Sequence, residues 1–500
     1  MNTNSKHIGK GIMLLLMIAV LNSCTNFDQL AVNPNLATSV PPSMLLSGVI
    51  SDVISDGAWN DTQRDNQFWV ISFDYYGNQD YNWGEAGFKY KVLANVDAME
   101  KEAQTLDSKN IYEGLGKFFK AYYFDYMSKR LGDIPMSEAL KASGEPSIQQ
   151  PKYDTQKDVY EQILTYLEES NDQIALARTQ VGIASLHGDP LFKGDLQKWQ
   201  KAINSFHLRV LISLSNRSSE MDVASRIKTI LDNPGKYPLM GGLDDNMERR
   251  YGNEQNNYYP FNPGNYGFNR NRNIIGATYL NLLKDNNDPR IYKVADPASA
   301  LYNSNDPLNL NAYVGANTGD AQGPMQVASD NGMLSYPNEA RYYKGYDGEP
   351  YIIIGYAEQE FTIAEAINRG YVTGDAKMHY ENGIKASMGF YNVSVEDVNV
   401  FLAQGNVNYA GNNIQGLQQI IKQKYIAFFD NSGHEAYFNY RRTQLPVFNV
   451  GAANNNGGLI PLRWKYPQSE FQNNSANVNE ALSRQYQGTD DINKKMWILN

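Results

Sequence analysis

Cysteine is almost missing, with one thiol, Cys24, in 500 residues. That excludes an intramolecular disulfide, a cysteine-based zinc site and a dithiol redox pair. Histidine is nearly as scarce at five, and His187, His207, His379 and His434 are scattered. No His-Glu-x-x-His motif occurs, because His434-Glu435 is followed by Phe438 where the second histidine would stand. A G-x-S-x-G nucleophile elbow and a G-x-x-x-x-G-K-[ST] phosphate loop are also lacking. Positive charge is in deficit: 44 Lys and Arg against 54 Asp and Glu leave a formal charge of −10 and no arginine-rich run. A broad nucleic-acid footprint is thereby excluded. The carboxylate pair of a glycoside hydrolase needs only a separation of roughly 5 to 9.5 Å in space, so composition alone does not exclude one.

Long apolar runs are absent too. The longest, residues 12–21, is ten residues long, whereas a bilayer-spanning helix needs about 20. Lys6 and Lys10 precede it and Asn22-Ser23-Cys24 follows, the layout of a secretory signal peptide over residues 1–23. Elsewhere a free Cys would read as a small buried hydrophobe. Here Leu21-Asn22-Ser23-Cys24 resembles a bacterial lipobox, with Asn22 a less usual residue, and implies lipidation of Cys24. Two or more acyl chains give a lasting anchor where one does not. Residues 24–42 hold Pro and several Asn, Thr and Ser with no helical period, so they are expected to form an extended tether.

What remains, residues 43–500, is expected to be mainly α. Ile111, Leu115, Phe118, Tyr122 and Tyr126 recur at helical spacing, and Gly132 and Pro135 stop that helix. Thr155 to Asp158 has the form of a capping box with Asp in place of Glu, ahead of the stripe Val159, Ile163, Tyr166, Leu167. Further stripes are Trp199, Ile203, Phe206, Val210, Leu214, and Leu417, Ile421, Tyr425, Phe428 with Lys424 at the margin. Residues 358–391 carry two helical patterns joined by Gly370-Tyr371-Val372-Thr373-Gly374, with Asp375 placed to cap the second. Small residues Ala364, Ala366, Gly383 and Ala386 let the pair approach closely, the logic of a tetratricopeptide hairpin, although the full repeat signature is absent. One hairpin cannot bury its own faces, so the other helices must stack on it. Residues 244–272 and 303–350 show no sustained period and are expected to be long functional loops. No alternating series predicts more than a small sheet.

Aromatics are abundant, at 12%, with 35 Tyr. Residues 74–90 and their approach concentrate them among Asp, Asn and Glu. Flat rings cover the apolar faces of sugars while carboxylates and amides bond to hydroxyls. Trp69, Phe73 and Phe88 sit at helical spacing and read as core. Tyr76, Tyr81 and Trp83 flank Gly77-Asn78-Gln79-Asp80, which breaks the helix and is expected to present them on a loop. If that loop is extended, Tyr81 and Trp83 face one side. A second set is Tyr258, Tyr259, Tyr266, Arg270 and Arg272, in which arginine suits a carboxylate bidentately or is simply a solvated charge. Tyr346 is a third candidate.

The chain resembles the SusD/RagB family of outer-membrane nutrient-binding lipoproteins over nearly its whole length. The residues that carry the resemblance run in family order. After the lipobox stands Phe27-Asp28-Gln29-Leu30-Ala31-Val32-Asn33-Pro34-Asn35. Leu131-Gly132-Asp133-Ile134-Pro135 follows with Glu138-Ala139-Leu140, then Gly194-Asp195-Leu196-Gln197-Lys198-Trp199 with Ala202-Ile203-Asn204-Ser205 and Leu208-Arg209. Asn287-Asp288-Pro289-Arg290 comes next. Tyr437, Arg441-Arg442-Thr443 and Pro446 are similar to a late family segment, with Asn439 where Asp is more usual. Tyr466-Pro467, Glu470 and Lys495-Met496-Trp497 close the series. Read from their chemistry alone, the glycines and prolines set turns, and Arg441 and Arg442 pair with carboxylates or helix C-terminal carbonyls. The resemblance implies tetratricopeptide-like hairpins beneath a loop-built binding face and no catalysis, and the residues themselves offer no cofactor motif and no metal-ligand set. It also implies a SusC-like TonB-dependent β-barrel as partner, at the outer membrane. An oligomeric glycan is the expected ligand, with peptide capture or a purely structural surface role as alternatives.

Overall fold

Apolar spacing and capping residues account for each principal helix. The computed structural model describes residues 40–73, 77, 79–180 and 186–500; Cys24, the leader and Tyr76 lie outside them. The principal helices are α1 (Pro42–Val53), α2 (Tyr90–Ala103), α3 (Lys109–Leu131), α4 (Gln156–Thr179), α5 (Leu196–Ser213), α6 (Val223–Asp232), α7 (Ala277–Asp285), α8 (Gln322–Asp330), α9 (Tyr356–Asn368), α10 (Ala376–Phe390), α11 (Val395–Leu402), α12 (Ile414–Ala427), α13 (Glu435–Thr443) and α14 (Ser475–Tyr486). The strands are β1 (Trp69–Val70), β2 (Met247–Arg249), β3 (Ile274–Ile275) and β4 (Tyr351–Ile354). They pair antiparallel as two short ribbons, β1 with β3 and β2 with β4.

Consecutive helices α1 to α6 pack each on the next, as do α9 and α10, while α9 and α10 both lie against α12. This is the tetratricopeptide-like, mainly α architecture expected. The caps do the local work. Thr155 Oγ1 accepts from Asp158 N at 3.2 Å and donates to the Asp158 carboxylate at 2.6 Å. Asp375 receives Met378 N at 3.0 Å to start α10. A Cβ built on Gly383 would stand 2.7 Å from the Phe361 ring, so the glycine is what lets α9 and α10 close up.

Every residue of α9 from Glu358 to Ile367 is buried, because α5, α10 and α12 all contact that helix. Its acids must therefore be paired internally. Arg209 Nε donates to Glu358 at 2.6 Å, Arg442 Nη2 to Glu365 at 2.9 Å, and His379 Nδ1 lies 2.9 Å from Glu360. Burial alone would raise the Glu365 carboxyl, but the Arg442 guanidinium outweighs it and holds the group down to about 2. Arg441 donates to Leu462 O at 2.6 Å and to Lys129 O, near the end of α3, at 2.7 Å. Both arginines thus hold the fold together.

Three expectations are corrected here. Lys424, placed at the margin of its stripe, is 1% exposed; Nζ donates to Thr362 Oγ1 at 2.9 Å and burial pushes its pKa down to about 8. The irregular stretch 303–350 contains α8, whose Gly323, Pro324 and polar residues mask its period; Met325 is its one buried side chain. Phe73, read as core, is 43% exposed.

Candidate ligand-binding cleft

Four sequence-distant segments, joined by Thr318 from a fifth, build one cleft. The first is the helical turn Thr62–Asp65 and the loop that follows, giving Arg64, Asp65, Gln79, Trp83 and Glu85. The second is the end of α3, where Gly132, at φ +90°, terminates the helix just beyond Arg130. The third is His434, the N-cap position of α13. The fourth is the loop carrying Trp464. Backbone pairing joins the last to the first: Lys465 N donates to Gly84 O and Ala86 N to Lys465 O, each at 3.0 Å, while Trp464 N donates to Arg130 O at 3.0 Å.

That pairing sets Trp83 on Trp464. Their rings stack at 4.3 Å with planes 22° apart, and Tyr437 meets Trp83 edge-on at 4.9 Å. Both tryptophans are half-buried, leaving ring surface toward a cleft of about 270 Å³. Arg130 sits behind them, 3.7 Å from the Tyr126 ring and 5.4 Å from that of Trp464. Arg130 Nη2 donates to His434 Nδ1 at 2.7 Å. Since arginine can only donate, Nδ1 accepts and the imidazole proton sits on Nε2, which donates to Asp65 Oδ2 at 2.9 Å. Burial, and then the adjacent Arg130 charge, lower the His434 pKa, so this relay is neutral at its centre. Thr318 Oγ1, buried in the wall, has no hydrogen-bond partner among the described residues. An orphaned hydroxyl is costly unless a ligand or water satisfies it.

The anticipated site residues divide. Trp83 lines the cleft. Tyr81 also borders it, but as a core residue, 2% exposed. Its backbone is left-handed at φ +64°, which removes the extended geometry that would have set it beside Trp83. Its hydroxyl donates to Asn449 O at 2.7 Å and accepts from Gln67 Nε2 at 2.5 Å. Tyr76 falls outside the described residues. Tyr266 and Arg270 line a different cleft, and Arg272, half-buried, borders neither of the two. Tyr259, grouped with them in sequence, is fully buried and accepts from Trp59 Nε1 at 2.8 Å. Tyr346 packs at 4.6 Å on Tyr258. Sequence reasoning missed Trp464, Arg130, His434, Asp65 and Thr318. The one available signal was Trp464 within Arg463-Trp464-Lys465-Tyr466-Pro467, an aromatic in a proline-bounded loop. Among the described residues no group of three His, Cys, Asp or Glu could hold a metal ion, and no helix is long and apolar enough to cross a membrane.

A stack of helical hairpins bearing an aromatic, arginine- and carboxylate-lined cleft on its irregular loops is the build of a binding protein. Residues 34–467 match the SusD-like family described as starch-binding and associating with the outer membrane, and the chain belongs to that family. A SusD homologue from Bacteroides fragilis NCTC 9343 is 32% identical, with 92% of this chain and 100% of that one covered and a TM-score of 0.83. A second from the same organism is 30% identical over the same shares, with a TM-score of 0.81. A chitin-binding SusD homologue from Flavobacterium johnsoniae shares the fold at 21% identity, covering 92% of this chain and 98% of that one, with a TM-score of 0.73. No curated protein matches the chain.

Proposed function

We propose that the protein captures a glycan oligomer at the Trp83–Trp464 cleft and passes it to a SusC-like TonB-dependent β-barrel, while anchored to the outer membrane through lipid on Cys24. The observation that carries the reading is the stacked pair of half-exposed indoles ringed by Arg64, Asp65, Glu85, Gln79 and the unsatisfied Thr318 hydroxyl. Flat apolar faces with donors and acceptors at their edges suit a sugar ring, whose faces are C–H and whose rim is hydroxyl. The chitin-binding relative supports a glycan over other oligomers. A peptide is the second reading, favoured by the two guanidinium groups, Arg64 and Arg130, which suit a carboxylate.

The test is an array of polysaccharides and peptides probed with the detergent-purified lipoprotein. Saturable binding to one polysaccharide class supports the glycan reading, and binding to peptides alone overturns it. Delivery is tested by affinity purification from gently solubilised outer membrane, where a large β-barrel should co-elute. Recovery of the free lipoprotein only, with and without glycan, would refute it. Cys24→Ala should abolish incorporation of labelled fatty acid; equal labelling of variant and parent would rule out that anchor.

A further inference from the structure

A second cleft, of about 590 Å³, opens beside Tyr266. Its walls repeat the chemistry of the first with different residues. Tyr266 is half-buried, lies edge-on to Tyr343 at 5.0 Å, and carries the Arg270 guanidinium 5.7 Å from its ring centre. Arg270 is exposed and, among the described residues, pairs with no carboxylate. The buried Tyr343 hydroxyl has no hydrogen-bond partner among the described residues. Three carboxylates border the space. Asp296 accepts from Asn338 Nδ2 at 2.8 Å and Glu339 N at 2.9 Å, Asp330 from Gln326 Nε2 at 2.6 Å, and Glu339 from the Tyr266 hydroxyl. A carboxylate has about four lone-pair sites, so each retains capacity for ligand hydroxyls. Acids outnumber the single arginine, which disfavours an anionic ligand and suits neutral sugar units.

Helix α8 connects this cleft to the first. At its start Gln322 Nε2 donates to Gly77 O at 3.2 Å, in the loop whose Gln79 lines the tryptophan cleft, and Thr318 lies in that cleft four residues earlier. At its end Ser329 and Asp330 line the second cleft. The helix has nine residues, a length of about 13 Å at 1.5 Å per residue. One cleft thus includes Thr318, four residues before this short helix, and the other includes its last two residues.

We infer that the Tyr266–Arg270 cleft is a second subsite for the same glycan chain, so that one long oligomer is held at both clefts. This rests on the glycan reading and adds chain-length selectivity to it. Once the first cleft is occupied, engagement of the second is intramolecular, and such linkage raises overall affinity by about 10²–10⁴ when the connecting chain can span the sites. A chain too short to reach gains nothing.

The experiment is calorimetry on the full lipoprotein with a short and a long member of the series the array returns: maltotriose against maltodecaose for starch, chitobiose against chitooctaose for chitin. The unaltered protein should bind the long chain at least about tenfold more tightly. In Arg270→Ala, and further in Tyr266→Ala with Arg270→Ala, that ratio should fall toward one, with melting temperature recorded to confirm folding. A long-to-short ratio near one in the unaltered protein, or a large ratio that survives the double substitution, overturns the second subsite while leaving the first cleft standing. Binding of neither chain by the unaltered protein is the separate failure of the glycan reading and overturns both.

Discussion

Replacing Trp83 by Ala separates a ligand platform from a core residue. A fully buried Trp truncated to Ala costs about 3–5 kcal/mol. Trp83 is only half-buried, stacked on Trp464 at 4.3 Å and met edge-on by Tyr437 at 4.9 Å, so the stability loss should be smaller, about 2 kcal/mol. In domains of 150–250 residues each kcal/mol moves the melting temperature by about 2–4 °C, and this larger chain should shift by a few degrees at most. Loss of an aromatic anchor commonly costs more than about 1 kcal/mol of binding energy, and 1.4 kcal/mol is about tenfold in affinity. Calorimetry with the glycan identified on the array should therefore show roughly tenfold weaker binding in Trp83→Ala. Trp83→Phe, which keeps a flat face over Trp464, should recover most of it. A Trp83/Trp464 double-mutant cycle should return a coupling of about 0.5–1.5 kcal/mol in stability, the value of an aromatic pair beyond its area. Unchanged affinity together with a melting temperature lowered by more than about 10 °C would refute the reasoning and make Trp83 part of the core.

Tyr81→Phe should lower stability by about 1 kcal/mol, because it deletes the hydroxyl bond to Asn449 O while Gln67 Nε2 keeps that carbonyl as an alternative acceptor. Glycan affinity should change less than about twofold, and a tenfold loss would return Tyr81 to the binding face. Glu365→Gln strips the carboxylate from a buried Arg442 and should cost about 3–5 kcal/mol in chemical denaturation at neutral pH. Because the folded carboxyl is held at about 2, below its unfolded value, its contribution is fully present above about pH 4.3 and is lost as pH falls toward the folded value; a parent and a variant that lose stability in parallel through that range would contradict the pairing. His434 is lowered in the fold by burial and by Arg130, against the opposing pull of Asp65 and Asp56. Its contribution is thus present above about pH 6.5 and is lost on acidification through the folded pKa. His434→Gln, whose amide can accept from Arg130 and donate to Asp65, should flatten the acid limb of urea-denaturation stability between pH 7.5 and 5; an identical slope in both proteins would exclude His434 as the titrating group.

The scaffold could be read from residue order because its determinants are local. Helical stripes, the Thr155 and Asp375 caps and the Gly132 stop each act within a turn or two, and their outcome does not depend on distant neighbours. Lys424 shows where locality ends. On its own helix it is a charged residue at the edge of an apolar stripe, but α9 lies against α12 and encloses it with Glu358, Glu365 and Arg442. Helix α8 failed in the opposite way. Its intrinsic propensity is poor, with Gly323 and Pro324 near its start, yet Met325 packing with Val70, Ile274 and Leu334 and the Gln322 bonds to Ile71 O and Gly77 O fix it in place.

The cleft was half legible for the same physical reason. Trp83 was recognisable as a loop aromatic, but its partner Trp464 reaches it only through pairing of Gly84 and Ala86 with Lys465, a register no local signal encodes. Alternation failed at Tyr81 because the rule presumes extended backbone, and a residue at φ +64° turns its side chain out of the alternation. The cause lies across the chain. Gly319 leaves room for that ring, since a Cβ there would stand 2.9 Å from Tyr81 Cε2 and 2.3 Å from Val450 O. Tyr81 therefore clamps the Gly319 and Asn449 segments together, and Thr318, with its unpaired hydroxyl, is the neighbour of that clamp. The tyrosine expected to touch the ligand instead fixes the wall that presents Thr318 to it, which is why its loss should register in stability before it registers in affinity.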